Sequence, residues 1–182
     1  LLEKALAGVQ AGGDEFAVLF LDLDRFKQVN DTCGYLAGDE LLRQMALLFQ
    51  GRLREDDTLA RLGGDEFSIM LPSCSASRAL QVAEDICGLA AAYRFIWQDK
   101  VFAIGASIGV TTVNRKVHNI NEILAAGDAA CVLRRRFAHR HEPLIGQHRF
   151  DDLAGAFAHR DHALVRYGLL QKLLLFEVFQ DR

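Results

Sequence analysis

Residues 58–71 constrain the fold most, because two short apolar runs are joined there by a glycine turn that carries two adjacent carboxylates. The turn reads Gly63-Gly64-Asp65-Glu66. Glycine adopts positive φ readily and lets a ligand approach the backbone closely, and such a turn between apolar runs is typical of a β-hairpin. The segment therefore predicts a hairpin with Asp65 and Glu66 at its tip.

The same pentapeptide, Gly-Gly-Asp-Glu-Phe, also occurs at residues 12–16, so the five letters alone identify nothing. The two copies differ in context. The first copy precedes the first apolar run of the chain, and we interpret it as a loop in which Asp14 and Glu15 are solvated.

A continuous apolar run over Phe16–Leu21 predicts a central strand that is buried on both faces. It ends in Asp22-Leu23-Asp24, and acids at the end of a buried strand indicate a site. A second strand region is predicted over Val101–Thr112, which is rich in β-branched residues.

Apolar residues at helical spacing predict helices, and Ser77 is the expected N-cap of the third. The order of elements predicts an α/β chain of the α+β sandwich type, in which helices flank a central, mostly antiparallel sheet. The predicted helices cover residues 1–10, 39–49, 75–92 and 120–131.

The composition changes after Cys131, because residues 134–166 hold seven Arg and five of the six His in no clear period. The spacing matches no defined metal site, so we interpret this stretch as a solvated basic surface. Residues 163–179 regain a helical pattern. We therefore expect one domain over residues 1–131, with its last helix running to about 140, and an atypical segment over 132–182 that links to an absent domain.

The net charge of −3 and the pI near 6.1 give no global reason to bind a nucleic acid polymer. No apolar stretch reaches the length of a membrane span, and the four cysteines form no C-x-x-C pair. We expect a cytoplasmic protein with structural thiols. Because residue 1 is Leu, we also expect a piece of a longer chain.

Asp22 at a strand end and the acids at the hairpin tip are suitable ligands for magnesium, which prefers a few hard oxygen donors. If the strand and the hairpin pair, the carboxylates converge at one edge of the sheet, and converging carboxylates are unfavourable without a cation. The alternative is that Asp65 and Glu66 are ordinary solvated turn acids. That alternative is weaker for Asp22, which directly ends a buried strand.

Several motifs in order resemble the GGDEF family of diguanylate cyclases, from residue 1 to about residue 131. They are Phe-Leu-Asp-Leu-Asp-Arg-Phe-Lys-Gln-Val-Asn-Asp at 20–31, Gly34, Gly38-Asp39-Glu40 and Arg61-Leu-Gly-Gly-Asp-Glu-Phe at 61–67. The resemblance implies a palm-like nucleotidyl cyclase fold in a bacterial cytoplasmic signalling protein. It also implies GTP as substrate, cyclic di-GMP as product and inhibitor, and at least a transient homodimer.

Carried over by position, the resemblance implies that Asp22, Asp65 and the carbonyl of Leu23 hold Mg²⁺ or Mn²⁺. Asp65 and Glu66 are the implied catalytic residues, and Glu66 either joins the metal site or assists deprotonation. Metal ions of this kind stabilise the attacking and leaving oxygens of a phosphoryl transfer.

The resemblance further implies a set of nucleotide contacts. Asn30 and Asp39 match the residues that recognise guanine, although turn and N-cap roles remain open for both. Tyr35 stands where histidine is common and would line the pocket. The remaining implied contacts are Lys27 on a phosphate, Gly63 and Gly64 along the nucleotide, and Arg135 where a triphosphate-binding lysine belongs.

Arg54-Glu55-Asp56-Asp57 fits the R-x-x-D product-inhibition motif of this family, so Arg54 and Asp57 are the implied inhibitor contacts. The next helix carries Glu84 and Asp85 where some members supply a helper arginine, and we therefore expect weaker inhibition. The family pattern of the last helix also stops after Asp128 and Ala130.

Two functions remain open at this point. The intact metal acids favour an active diguanylate cyclase that condenses two GTP with release of pyrophosphate. The altered last helix favours an inactive module that binds GTP or cyclic di-GMP and regulates an attached domain, for example a phosphodiesterase. Another palm-like cyclase or polymerase is a third class, but guanine recognition by Asn30 and Asp39 would argue against ATP as its substrate.

Overall fold

The computed structural model describes residues 1–127, and these residues form an antiparallel sheet with helices on both faces. The predicted α+β sandwich is confirmed. The helices are α1 (Leu2–Gln10), α2 (Phe26–Cys33), α3 (Tyr35–Gln50) and α4 (Ala76–Ala92), followed by helical residues 120–127. The strands are β1 (Phe16–Asp24), β2 (Thr58–Gly63), β3 (Glu66–Leu71), β4 (Arg94–Trp97), β5 (Lys100–Ala103) and β6 (Gly105–Val113).

The main sheet has the order β2-β3-β1-β6, and β4 and β5 form a separate two-stranded sheet. Every pair in the main sheet is antiparallel. Helices α2 and α3 connect β1 to β2, which lie on either side of β3. The segment that contains α4 connects β3 to β6, which lie on either side of β1. This is the split βαβ arrangement, with β1 and β3 in its centre.

Strand β1 separates two apolar clusters, because successive side chains of a strand point to opposite faces. Leu19 and Leu21 pack with α3 and α4 on one face, and Val18 and Phe20 pack with α1 and the helical residues 120–127 on the other. All four side chains are almost completely buried. The continuous apolar run in the sequence reflects this burial on both faces.

Several predicted boundaries were wrong. Helix α2 was not predicted, and α3 begins at Tyr35, not at residue 39. The hydroxyl of Ser75, not that of Ser77, accepts the capping hydrogen bond at the start of α4, from the backbone N–H of Arg78 at 3.4 Å.

The predicted strand over 101–112 is two strands, β5 and β6, which belong to different sheets, and β4 was not predicted. The helix predicted over 120–131 is present over 120–127, where Asn119 and Glu122 cap its start reciprocally. The predictions for Arg135, for the segment 132–182 and for a helix over 163–179 lie outside the described residues.

Two smaller observations concern the described part of the chain. No helix among residues 1–127 combines the length and the apolar character needed to cross a bilayer. Cys33 and Cys74 are free thiols, and burial raises the pKa of the Cys74 thiol, while the Cys87 thiol donates to the carbonyl of Ala106 at 3.4 Å.

Candidate functional site

The acids that the sequence singled out meet at one edge of the main sheet. Asp22 of β1 lies directly opposite Glu66 of β3 in the antiparallel register. One residue further, the backbone N–H of Leu23 donates to the carbonyl of Asp65 at 3.2 Å. Directly opposed residues of an antiparallel pair project their side chains from the same face. The fold therefore brings Asp22, the Leu23 backbone, Asp65 and Glu66 to a single place.

The hairpin turn fits the prediction in detail. Gly63 and Gly64 have φ values of 150° and 54°, and a Cβ atom added to either would meet no atom within 4 Å. Arg61 pairs with Phe67 and Gly63 pairs with Glu66, so Leu62 is the extra residue of a β-bulge just before the turn. The backbone beside Asp65 thus faces open space, into which a ligand fits.

Arg61 holds this turn closed, a role that the sequence reasoning missed. Its Nε and Nη2 atoms donate to the carbonyl oxygen of Gly64 at 3.0 and 2.8 Å. The signal for it in the sequence was a long cationic side chain two residues before the glycine turn. The guanidinium therefore fixes the backbone position from which Asp65 projects.

The donor groups at this edge of the sheet are hard oxygens, the type that a divalent cation such as magnesium prefers. Among residues 1–127, no three or more His, Cys, Asp or Glu side chains are grouped as a metal cage. Magnesium is usually held by one or two carboxylates together with waters and substrate phosphates. Two opposed carboxylates, Asp22 and Glu66, next to Asp65 and a strand-end carbonyl fit that open type of site. They do not fit an all-protein cage.

Asp24, the other acid at the end of β1, has a structural role. Its Oδ1 accepts a hydrogen bond from the buried hydroxyl of Ser107 at 2.9 Å, and a Cβ atom on Gly105 would lie 2.6 Å from its Oδ2. Asp24 thus ties the end of β1 to β6. Helix α2 begins two residues later, so its N-terminus lies close to the acids in the chain, and helix N-termini favour anions.

Helices α2 and α3 bring Asn30 and Asp39 close to each other, at the point where the two helices pack together. Asn30 packs so closely on Gly38 that a Cβ atom at Gly38 would lie 1.9 Å from its Oδ1. This Oδ1 is buried and has no hydrogen-bond partner among the described residues. An unpartnered buried polar atom is costly, and this oxygen is able to accept a hydrogen bond from a ligand donor.

Asp39 follows Gly38 directly and is exposed, while Tyr35 lies one helical turn before it and is 83% exposed. Both Asn30 and Asp39 lie within helices, so the turn and N-cap alternatives for them are wrong. Lys27 is exposed on α2, three residues before Asn30.

Glu40, next to Asp39, is engaged locally. Arg43 donates two hydrogen bonds to its carboxylate, and Gln44 donates a third. These bonds, first of all that from Arg43, lower the pKa of Glu40 to about 2. Because Glu40 is held by Arg43 and Gln44, Asp39 is the exposed carboxylate of this pair.

Arg54 and Asp57 lie at the opposite end of β2 from the acidic turn. The backbone N–H of Arg54 donates to Asp57 Oδ2 at 2.9 Å, and the N–H of Asp57 donates to the Arg54 carbonyl at 3.1 Å. At about 3.3 Å per strand residue, β2 separates this closed turn from the acids by roughly 20 Å. Asp85 stands in the part of α4 where the sequence lacks a helper arginine. It forms an ion pair with Arg52, and the hydrogen bond from Arg52 lowers the pKa of Asp85.

The first copy of the pentapeptide lies at the opposite end of β1 from Asp22. Asp14 accepts a hydrogen bond from the Ser73 hydroxyl at 3.1 Å, and the carbonyl of Glu15 accepts one from the backbone N–H of Cys74 at 3.2 Å. The two identical sequences therefore sit at opposite ends of the same sheet, and only the second faces Asp22.

This fold and this arrangement of acids define a class of protein: an α+β domain with a two-carboxylate hairpin turn beside the end of its central strand. The family model described as diguanylate cyclase, GGDEF domain, matches residues 1–137. The chain belongs to the GGDEF family.

Individual relatives agree with the family model. The chain is 44% identical over 130 residues to the probable diguanylate cyclase DgcE of Escherichia coli, which covers 71% of this chain and 12% of that protein. It is 35% identical over 138 residues to the diguanylate cyclase TpbB of Pseudomonas aeruginosa, covering 75% of this chain and 32% of that protein. The chain therefore spans a third or less of the length of these two relatives.

Solved structures show the same fold. The crystal structure of the GGDEF domain of TpbB from Pseudomonas aeruginosa matches with a TM-score of 0.68 and 34% identity, over 74% of this chain and 85% of that one. The coiled-coil and GGDEF domain of DgcB from Caulobacter crescentus, in complex with c-di-GMP, matches with a TM-score of 0.69 and 26% identity, over 74% and 72%.

Proposed function

We propose that this domain is a diguanylate cyclase that condenses two GTP molecules into cyclic di-GMP, in the bacterial cytoplasm, with release of two pyrophosphates. The observation that carries the proposal is the register that sets Asp22 opposite Glu66 and joins Leu23 to Asp65 through the backbone. Membership of the family supports it, as does the identity with DgcE and TpbB.

In each half-reaction, the 3′-oxygen of one GTP forms a bond to the α-phosphorus of the other. The bond between that phosphorus and the bridging oxygen of the β-phosphate breaks, and pyrophosphate leaves. A divalent cation, Mg²⁺ or Mn²⁺, held by Asp22, Asp65, Glu66 and the Leu23 carbonyl would stabilise the developing charge and lower the pKa of the 3′-hydroxyl. Glu66 would either join the cation site or accept the proton of that hydroxyl.

The other residues position the nucleotide. Asn30 and Asp39 bind the guanine edge. The amide N–H of Asn30 donates to a ring acceptor of guanine, and the carboxylate of Asp39 accepts from the N1–H and N2–H donors. Tyr35 lines the pocket beside Asp39. Lys27 and the N-terminus of α2 hold phosphate oxygens. Gly63 and Gly64 leave room for the nucleotide along the turn, and Arg135 is the sequence-based candidate for a further phosphate contact.

A single domain holds one such site, whereas the product has two guanosines related by a two-fold axis. We therefore propose a homodimer, at least a transient one, in which each chain presents one GTP. Arg54 and Asp57 would bind the product as an inhibitor, at the far end of β2 from the acids.

The test is an assay of the full chain with GTP and Mg²⁺, in which cyclic di-GMP is separated by chromatography. We expect the double variant Asp65→Ala/Glu66→Ala to lose activity by about 10²-fold or more. The chain supplies a matched control, since Asp14→Ala/Glu15→Ala removes the same two residue types from the same pentapeptide at the other end of the sheet. That control should retain activity.

A second candidate is a GGDEF module that binds nucleotide without catalysis and regulates an attached domain. Its support is the loss of the family pattern after Ala130, together with 32% identity over 130 residues to the cyclic di-GMP phosphodiesterase PdeB of Shewanella oneidensis, 15% of that protein. The same assay separates the two candidates. GTP binding by calorimetry, with no product above that of the Asp65→Ala/Glu66→Ala variant, would favour the second.

A further inference from the structure

The β4–β5 hairpin stands apart from the main sheet and lies against α2, the helix that carries Lys27 and Asn30. Among residues 1–127, strands β4 and β5 pair only with each other, from Arg94 opposite Ala103 to Trp97 opposite Lys100. The inner side of the hairpin is aromatic: Phe95 is completely buried and stacks on Trp97 with ring centroids 6.2 Å apart. The hairpin is thus anchored in the core through its aromatic side chains.

Two polar contacts join the hairpin to the two ends of α2. At the C-terminal end, Lys100 Nζ donates to the backbone carbonyl of Thr32 at 3.3 Å. At the N-terminal end, Arg25 Nη1 donates to the carbonyl of Ala103 at 3.5 Å. A cation at a helix C-terminus also interacts favourably with the helix dipole. Both contacts span long stretches of chain, so they fix the helix relative to the hairpin.

The apolar contact between the two elements is incomplete. A cavity of about 110 Å³ lies between them, lined by Arg25, Gln28 and Val29 of the α2 region and by residues 101–104. Val29 is the one residue of α2 that is completely buried. Phe26 and Cys33 also pack against the core, and Asn30 packs on Gly38 of α3, so one side of α2 is held by the domain. On the side of the gap, the contacts at the two ends of α2 are what link it to the hairpin. Arg25 also holds the left-handed backbone at φ 67°, which a non-glycine residue adopts only when its surroundings impose it.

We propose that the β4–β5 hairpin is a bracket for α2, which means that its contacts with both ends of the helix fix the position of α2. Lys100 and Arg25 are then positioning residues for the nucleotide site. They set the place of Asn30 and Lys27 without touching the nucleotide. The expected change in GTP affinity rests on the proposed function. The bracket itself can be measured in the absence of nucleotide.

The bracket is tested by hydrogen exchange of the full chain in the absence of nucleotide. We expect Lys100→Ala to speed exchange of the amides of residues 28–34 about three- to tenfold, while the amides of β1 and β3 stay unchanged. Lys100→Arg keeps a donor in reach of Thr32 and should restore slow exchange. Lys4→Ala, an exposed lysine of α1 on the other face of the sheet, is the matched control. Unchanged exchange in α2 of the Lys100→Ala variant would overturn the bracket.

The positioning role is tested by titrating GTP into the same variants. We expect Lys100→Ala and Arg25→Ala each to weaken GTP binding about three- to tenfold, with kcat unchanged at saturating GTP and with rescue by Lys100→Arg. Faster exchange in α2 with unchanged GTP affinity would overturn the positioning role. If the unaltered chain binds no GTP, the proposed function and this role fail together, and hydrogen exchange still decides the bracket.

Discussion

At the scale of single residues, the acidic turn combines two conformationally free glycines, Gly63 and Gly64, with one arginine, Arg61, that holds them in place. Gly64 supplies a φ of 54° at no steric cost, but glycine also leaves the turn free to move. Arg61 removes that freedom by donating twice to the Gly64 carbonyl. The carboxylates of Asp65 and Glu66 therefore sit on a backbone that the Arg61 side chain holds in place.

We predict that Arg61→Ala lowers cyclase activity about tenfold while lowering the free energy of unfolding by about 1 kcal/mol or less, because two exposed hydrogen bonds are lost. Activity is measured as cyclic di-GMP formed per minute, and stability by urea unfolding. Arg115→Ala is the matched control, since Arg115 donates to the carbonyl of Gly12 at 3.0 Å, at the far end of the sheet. Equal activity losses in the two variants would show that the contact at Gly64 has no special role.

At the scale of elements, the sequence predicted best where a continuous apolar run or a glycine turn dominated the local pattern. The strand β1 and the hairpin of β2 and β3 follow from apolar runs and a glycine turn, and both are confirmed. Helix α2 could not be predicted, because Asn30, Asp31 and Thr32 are poor helix formers and two turns are too short to be stable alone. Contacts with α3 and with the β4–β5 hairpin hold it.

The break between β5 and β6 was hidden for a related reason. Apart from Phe102, residues 101–112 are all β-branched or small. Gly105 and Gly109 allow a bend, but they do not by themselves show that one strand ends and another begins at residue 104. The boundary comes from pairing, since β6 begins where Gly105 lies opposite Asp24. A sequence pattern shows that a segment is extended but not which partner it pairs with.

The packing of α2 on α3 gives a prediction at this scale. In Gly38→Ala, the new methyl group would lie 1.9 Å from Asn30 Oδ1, so the Asn30 amide must move. We expect GTP affinity, measured by calorimetry, to fall about tenfold, with a loss of roughly 1–2 kcal/mol in the free energy of unfolding. Gly88→Ala in α4 is the control, because a Cβ atom there meets nothing within 4 Å. It should leave GTP binding unchanged and stabilise the chain by about 0.5–1 kcal/mol. Unaltered GTP affinity in Gly38→Ala would contradict guanine recognition by Asn30.

At the scale of the whole molecule, the main sheet separates two regions that the sequence places close together. Only seven residues separate Asp57 from Asp65 in the chain, but they include all of β2, and the two acids lie at opposite ends of that strand. The same geometry separates Asp14 from Asp65. The sequence alone could pair the acids of β1 and β3, yet it needed the known family order to distinguish the two copies of the pentapeptide.

This separation predicts that product inhibition and catalysis respond to different substitutions. Arg54 is exposed, and the turn that carries it is closed by backbone hydrogen bonds with Asp57, so Arg54→Ala removes a guanidinium without opening the turn. We expect the initial rate to stay within about twofold, because roughly 20 Å of strand lies between Arg54 and the acids. Inhibition by added cyclic di-GMP should weaken by about tenfold or more, since a charge-assisted hydrogen bond to a phosphate or guanine is lost. The measurement is the initial rate across a series of cyclic di-GMP concentrations, with Arg115→Ala as control. Unchanged inhibition would remove Arg54 from the inhibitor site, and an initial rate as low as that of the Asp65→Ala/Glu66→Ala variant would mean that the two ends of the sheet are not independent.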